Sequence, residues 1–135
     1  PNRSAPRGPA RGMNPLTVLG YLEFSPETAS NPISTYTKGS LVGDVTSIVH
    51  TSTGLYTIVF KKGFTGPRVR FVITAVCNGT TYFYAQQKGQ VSVTAGVMTL
   101  LVVTLDGTFS LLDVTASSGD AKVQITMFAE DSTGA

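Results

Sequence analysis

From Leu41 onward the chain alternates apolar and polar positions in short runs rich in Val, Ile, Thr, Tyr and Phe, each bounded by Gly, Asn, Asp or Ser. A period of two over such short runs is the signature of half-buried strands, and the three-to-four spacing of an amphipathic helix is missing. The pattern predicts strands over Val45 to Thr51, Leu55 to Lys61, Arg68 to Cys77, Thr80 to Gln86, Gln90 to Thr94, Val97 to Leu105, Thr108 to Thr115 and Lys122 to Ala129. Tyr56, Ile58 and Phe60 fall on one face of the second of these. Ser52-Thr53-Gly54 reads as a hairpin with Gly in a left-handed position. Asn78-Gly79, the strongest two-residue turn signal, predicts that the runs on either side of it pair as a hairpin. Val97 to Leu105 (VMTLLVVTL) is apolar on both alternating faces, so each side must be covered, by a second sheet or by another subunit.

The first forty residues follow a different grammar. Residues 1–15, PNRSAPRGPARGMNP, hold four Pro, two Gly and three Arg with no apolar period, and read as an extended arm that cannot order itself. Gly8 and Gly12 are four apart, which breaks a collagen repeat. A short apolar run, Leu16 to Phe24, then gives way to SPETASNPISTYTKGS, an irregular connection. The expected organisation is an arm over 1–15, a connecting segment with one short strand over 16–40, a β-sandwich domain over 41–131 and a tail over 132–135. The expected fold is all-β: a single antiparallel β-sandwich or jelly-roll-like barrel of about eight strands with an extended N-terminal arm.

Composition sharpens this picture at three points. With 41% hydrophobic residues in 135, the chain has enough apolar surface for one core without cross-links, and its single Cys77 excludes an intramolecular disulfide. The net charge of +2 is unevenly placed: Arg3, Arg7 and Arg11 carry three charges, leaving seven cations against eight acids, or −1, in the rest. The basicity therefore belongs to the arm. No stretch of about 18 apolar residues is present to span a bilayer as a helix, so no membrane partner is expected.

Candidate chemistry is sparse. His50 is the only histidine and lies in a strand beside Thr51 and Ser52, whose side chains point to alternate faces, so it reads as a structural or surface residue. Asp113 and Asp120 flank one turn-rich segment and would be the paired carboxylates of an acid–base site, yet Asp120 after Gly119 reads as a turn residue. Cys77 is in phase with Phe71, Ile73 and Ala75 and is expected to be a buried small hydrophobe. One Cys and one His give no metal signature, and the Gly-rich turns lack a following Lys-Ser/Thr, so no catalytic residue, metal or cofactor is expected. Asn2-Arg3-Ser4 and Asn78-Gly79-Thr80 match the glycan acceptor pattern, the second being better read as a turn. Lys61, Lys62, Arg68 and Arg70, with Tyr82, Phe83 and Tyr84, would make an anion or single-strand platform if the fold gathered them; a solvated hairpin end is the competing reading.

Val45 to Phe64, VTSIVHTSTGLYTIVFKKGF, resembles a pattern of phage fibre and virion-surface β domains in which T-x-T-G leads into G-x-Y-x-V/I-x-F, with Tyr56 and Phe60 carrying the match. Gly107 to Phe128 is similar to the last two strands of such domains, with an S-G-D turn before a V-x-I-x-x-F strand. The resemblance implies a non-enzymatic virion structural protein, commonly a homotrimer, found on the capsid surface and soluble in the host cytoplasm before assembly. The short arm fits a capsid decoration protein better than a tail-fibre knob. Its partner would be the major capsid protein or neighbouring virion subunits, reached through Arg3, Arg7, Arg11, Leu16 and Val18. The doubly apolar strand would suit the trimer interface through Met98, Leu100 and Val102. Two alternatives stand beside this: a receptor-binding, glycan-binding knob, and a small capsid subunit with a nucleic-acid-binding arm. Three arginines are few for packaging, so nucleic acid is the less favoured partner.

Overall fold

The computed structural model describes residues 16–26, 33, 39–62, 69–77, 82–114 and 121–130. Among the described residues eight strands form two antiparallel sheets: β1 (Leu16–Phe24), β2 (Val45–Ser52), β3 (Leu55–Phe60), β4 (Val69–Val76), β5 (Tyr84–Gln87), β6 (Ser92–Thr94), β7 (Val97–Leu105) and β8 (Lys122–Glu130). One sheet has the order β1-β8-β4; the other runs β2-β3-β7-β5, with β6 also on β7. The chain is therefore an all-β sandwich, as its alternation predicts. A 3-10 turn, Val42–Asp44, leads into β2.

The core lies between the sheets. Leu22 and Phe24 of β1, Ile48 of β2, Tyr56, Ile58 and Phe60 of β3, Met98, Leu100 and Val102 of β7, and Val123, Ile125 and Met127 of β8 are all buried. Each such side chain removed from water contributes roughly 1.5–3 kcal/mol. β1 thus belongs to the sandwich: it runs the length of β8 from Leu16↔Glu130 to Phe24↔Val123. The sheet begins at residue 16 and not at 41. A bulge at Leu19 shifts the register, which leaves Val18 facing outward beside Phe128. Two backbone bonds reach the outer strands of the two sheets: Leu41 N–H donates to Tyr21 O at 2.9 Å and Ile33 N–H to Ile48 O at 2.7 Å.

Two further expectations change. β4 pairs with β8 in one sheet and β5 with β7 in the other, so the runs on either side of Asn78-Gly79 are not hairpin partners. The reason is tertiary: β8 offers β4 an eight-residue register from Val69↔Ala129 to Val76↔Lys122. Asn78 and Gly79 themselves lie outside the described residues. Of the expected strand Thr108 to Thr115, the described residues 108–114 form no strand: Asp106 to Ser110 is a tight loop, and Leu111 keeps a bridge to Leu105. β5 and β6 are two halves of one edge strand along β7. Gln87 lies opposite Val102 and Ser92 opposite Thr99, so five steps on one side match three on the other and two residues bulge out.

Ring contacts orient the sheets. Phe24 meets Tyr56 at 5.4 Å and Phe60 meets Phe71 at 6.1 Å. Leu16, Val69 and Ala129 therefore sit at the Phe60 end of the sandwich, whereas Tyr84, Leu105 and the 106–114 segment sit at the Tyr56 end. The nine residues of β1 separate those ends by roughly 25 Å at 3.3 Å per step.

Candidate functional site

The Tyr56 end carries the most organised polar structure in the described chain. Gly54 closes the β2–β3 hairpin with φ 64°, and its backbone abuts the return limb of the 106–114 segment. A Cβ there would lie 2.8 Å from both Leu112 N and Thr104 O. This close approach lets Thr104 N–H donate to Gly54 O at 2.8 Å, Leu112 N–H to Thr104 O at 2.9 Å and the Thr104 hydroxyl to Leu112 O at 2.6 Å. Thr104 is fully buried, and these bonds are what allow a hydroxyl there.

Asp113 locks the limb to the hairpin. Its Oδ1 accepts from Gly54 N–H at 2.7 Å and from His50 Nε2 at 2.8 Å. The Gly54 bond first, and the His50 bond and charge with it, hold the Asp113 carboxyl below the usual carboxylate range against the opposing effect of burial. The ionised carboxylate accepts, so Nε2 carries the proton. The His50 ring also packs on Tyr56 at 5.3 Å, and the Tyr56 hydroxyl donates to Pro26 O at 3.0 Å. Burial pushes the Tyr56 phenol up to about 12. An Asp–His pair is two parts of a nucleophilic triad, but here the carboxylate divides its bonds between the ring and a hairpin amide. Its evident work is to fasten the loop. Asp120, its expected partner, lies outside the described residues.

The fastened loop presents an aromatic surface. Asp106 Oδ1 accepts from Thr108 N–H at 2.8 Å, the Thr108 hydroxyl at 2.7 Å and Ser110 N–H at 3.0 Å. The Thr108 hydroxyl first, then the Ser110 and Thr108 amides, pull the Asp106 carboxyl below its ordinary range. At the tip Phe109 adopts φ 63°, a left-handed conformation that a bulky side chain rarely takes. Its ring stacks on Tyr84 with centroids 5.6 Å apart and planes at 30°, yet Phe109 is 70% and Tyr84 54% exposed. Leu105 pairs with both Tyr84 and Leu111, which places the three side by side on the outer face of the five-stranded sheet. Leu111 is 51% exposed, while Leu105 beneath this group is almost covered.

The residues singled out in the sequence distribute differently. Met98, Leu100 and Val102 are fully buried on the β7 face that meets the other sheet, so they are consumed by the chain's own core and offer nothing to another copy. The other face of β7 is half-buried at Val97, Thr99 and Leu101 and covered at Val103 and Leu105. Arg3, Arg7 and Arg11 lie outside the described residues, as does the Leu16 side chain; Val18 is outward and exposed. Cys77 is exposed rather than buried, because β4 ends at Val76 and the thiol donates to Phe83 O at 3.5 Å. The cationic and aromatic platform is not assembled: Arg70 pairs with Phe128 near the Phe60 end, Tyr84 lies at the other end, and Phe83 is buried. Phe109 and the His50–Asp113 bond escape a strand-by-strand reading. The one available signal was Asp106 followed by Thr108, a side-chain turn pattern. Comparison with protein-family models, curated proteins and solved structures gives no match for this chain.

Proposed function

We propose that this chain is a non-enzymatic virion-surface binding module, a capsid decoration protein in which the N-terminal arm anchors one end and the Phe109 loop is presented at the other. The observation that carries the reading is the polarity of the sandwich. Residues 1–15 join β1 at Leu16, at the Phe60 end, roughly 25 Å from the stacked Tyr84–Phe109 pair. Val18 at 60% and Leu19 at 42% expose apolar surface near the end where the arm joins, and Val72 at 53% adds to it at the middle of the same sheet, the kind of surface that another protein covers. Arg70 lies beside Phe128 in the same row as Val18. This supports a capsid subunit or neighbouring virion protein as the arm's partner.

Deleting residues 1–15 tests the anchor. Co-sedimentation with capsids should be abolished while the truncated chain keeps the circular dichroism and cooperative melting of the full one. Retained co-sedimentation would defeat the reading. The knob alternative is favoured by one feature, the exposed Tyr84–Phe109 pair.

A further inference from the structure

The two outward faces of the sandwich differ in kind. The three-stranded sheet turns Glu23, Lys122 and Arg70 outward, and the Tyr21 hydroxyl and Gln124 amide both donate to Glu23 Oε2, at 2.7 and 2.8 Å. That is the polar outside of an antiparallel sheet in water. The five-stranded sheet instead turns out Val49, Leu55, Val59, Val97 and Leu101, on the side opposite Ile48, Tyr56, Ile58, Met98 and Leu100. These five are half-buried, and Val103 and Leu105 beside them are covered although they stand outside the core between the sheets. Among the described residues the polar outward positions of β2, β3 and β7 are serine or threonine, and none carries a charge.

We propose that a second copy of the chain docks on this face, the two five-stranded sheets packing against each other about a two-fold axis. β7 is apolar on both sides; the three-stranded sheet covers one, and a facing sheet about 10 Å away would cover the other. Area supports this occupant. Three strands about 4.8 Å apart, each about five residues long at about 3.3 Å, present about 240 Å². Tyr84 at 54% and Phe109 at 70% exposed rise at one end of the same face, and at roughly 150–250 Å² per aromatic side chain they add about 200–300 Å². A standard interface takes about 800 Å² per partner, and in homodimers about 65% of it, or about 520 Å², is apolar. The face meets that share. A two-fold contact sets each surface against its own copy, so a charge near the axis would meet its like, and a face without charges escapes that cost. The three bonds to Asp106 already fix the Phe109 tip, so little order remains to be gained on docking. Pairing goes beyond the anchored module and does not depend on it, because the arm joins β1 in the other sheet.

The test is analytical ultracentrifugation of the full chain at concentrations up to about 100 μM. The expected species is a pair, twice the 14.2 kDa of one chain. Thr57 lies between Val49 and Leu101 at the centre of the face. Thr57→Lys and Leu101→Lys, by setting like charges across the axis, should each weaken pairing at least about tenfold. Thr57→Lys replaces a side chain that is already polar, so its circular dichroism spectrum should match that of the parent. Val72→Lys, outward on the other sheet, and deletion of residues 1–15 should leave the pair intact. A monomer at every concentration overturns the proposal, as does a trimer, and as does a pair indifferent to both lysine variants. A chain that is monomeric in solution and loses capsid co-sedimentation on Thr57→Lys also overturns it and gives the face to a capsid protein. Pairing that survives arm deletion upholds the proposal whether or not capsid binding is lost; only retained capsid binding counts against the anchor.

Discussion

His50 and Asp113, 63 residues apart, meet at 2.8 Å and join the β2–β3 hairpin to the loop that carries Phe109. Removing the carboxylate strips two donors at once, the imidazole and the Gly54 amide. Asp113→Ala should lower stability by about 1–2 kcal/mol, the lower part of the range for bonds to a charged group because the side chain is partly exposed. Urea denaturation would read this as a lower midpoint with an unchanged slope. The folded pKa of Asp113 is depressed, so its contribution is present above the ordinary carboxylate range and disappears as pH falls through the folded value. Asp113→Asn should therefore flatten the acid limb of the stability profile.

Tyr56 titrates on the opposite side. Its phenol is raised to about 12, so the unfolded chain loses that proton first as pH climbs past about 10. Stability is whole below pH 10 and should then fall by about 1.4 kcal/mol per pH unit until about 12. Spectrophotometric titration should show a tyrosine step near pH 12, and Tyr56→Phe should remove both that late step and its share of the slope.

Two turn positions predict opposite outcomes from small substitutions. Ala95 and Gly96 close the β6–β7 hairpin with φ 52° and 80°, and the alanine takes a conformation better suited to glycine or asparagine. Ala95→Gly should stabilise by about 0.5–1 kcal/mol and raise the melting temperature by about 2–4 °C. Gly54→Ala meets both the positive φ and backbone atoms at 2.8 Å, and should cost more than about 2 kcal/mol.

Asp106→Ala should act locally. The amides of Thr108 and Ser110 lose their acceptor and should exchange with solvent about tenfold faster or more, while core amides of β3 and β7 keep their protection. A parallel fall in core protection would show that the loop is part of the global folding unit.

Alternation was enough to read the sandwich, because Tyr56, Ile58 and Phe60, or Val123, Ile125 and Met127, can bury one face only as strands. Pairing was not readable in the same way. Asn78-Gly79 carries local turn chemistry, but the strands on either side of it found longer partners in β8 and β7, and those contacts outweigh a two-residue preference. Leu16 to Phe24 looked peripheral because its partner lies at the far end of the sequence. The candidate site was least legible. Phe109 is outward because Asp106 bends the chain into a left-handed step, and His50 meets Asp113 only after five strands have been laid down between them.

The strand order β1-β8-β4 has a further consequence for how the chain is made. The middle strand of that sheet is the last of the eight to leave the ribosome, and both neighbours must wait for it. Until residues 122–130 emerge, β1 and β4 have no hydrogen-bonding partner in their sheet, although the five-stranded sheet already has every strand. A chain that still lacks residues 122–130 therefore cannot close the three-stranded sheet, and Leu22, Phe24, Tyr56 and Phe60 then miss part of the cover they have in the finished sandwich.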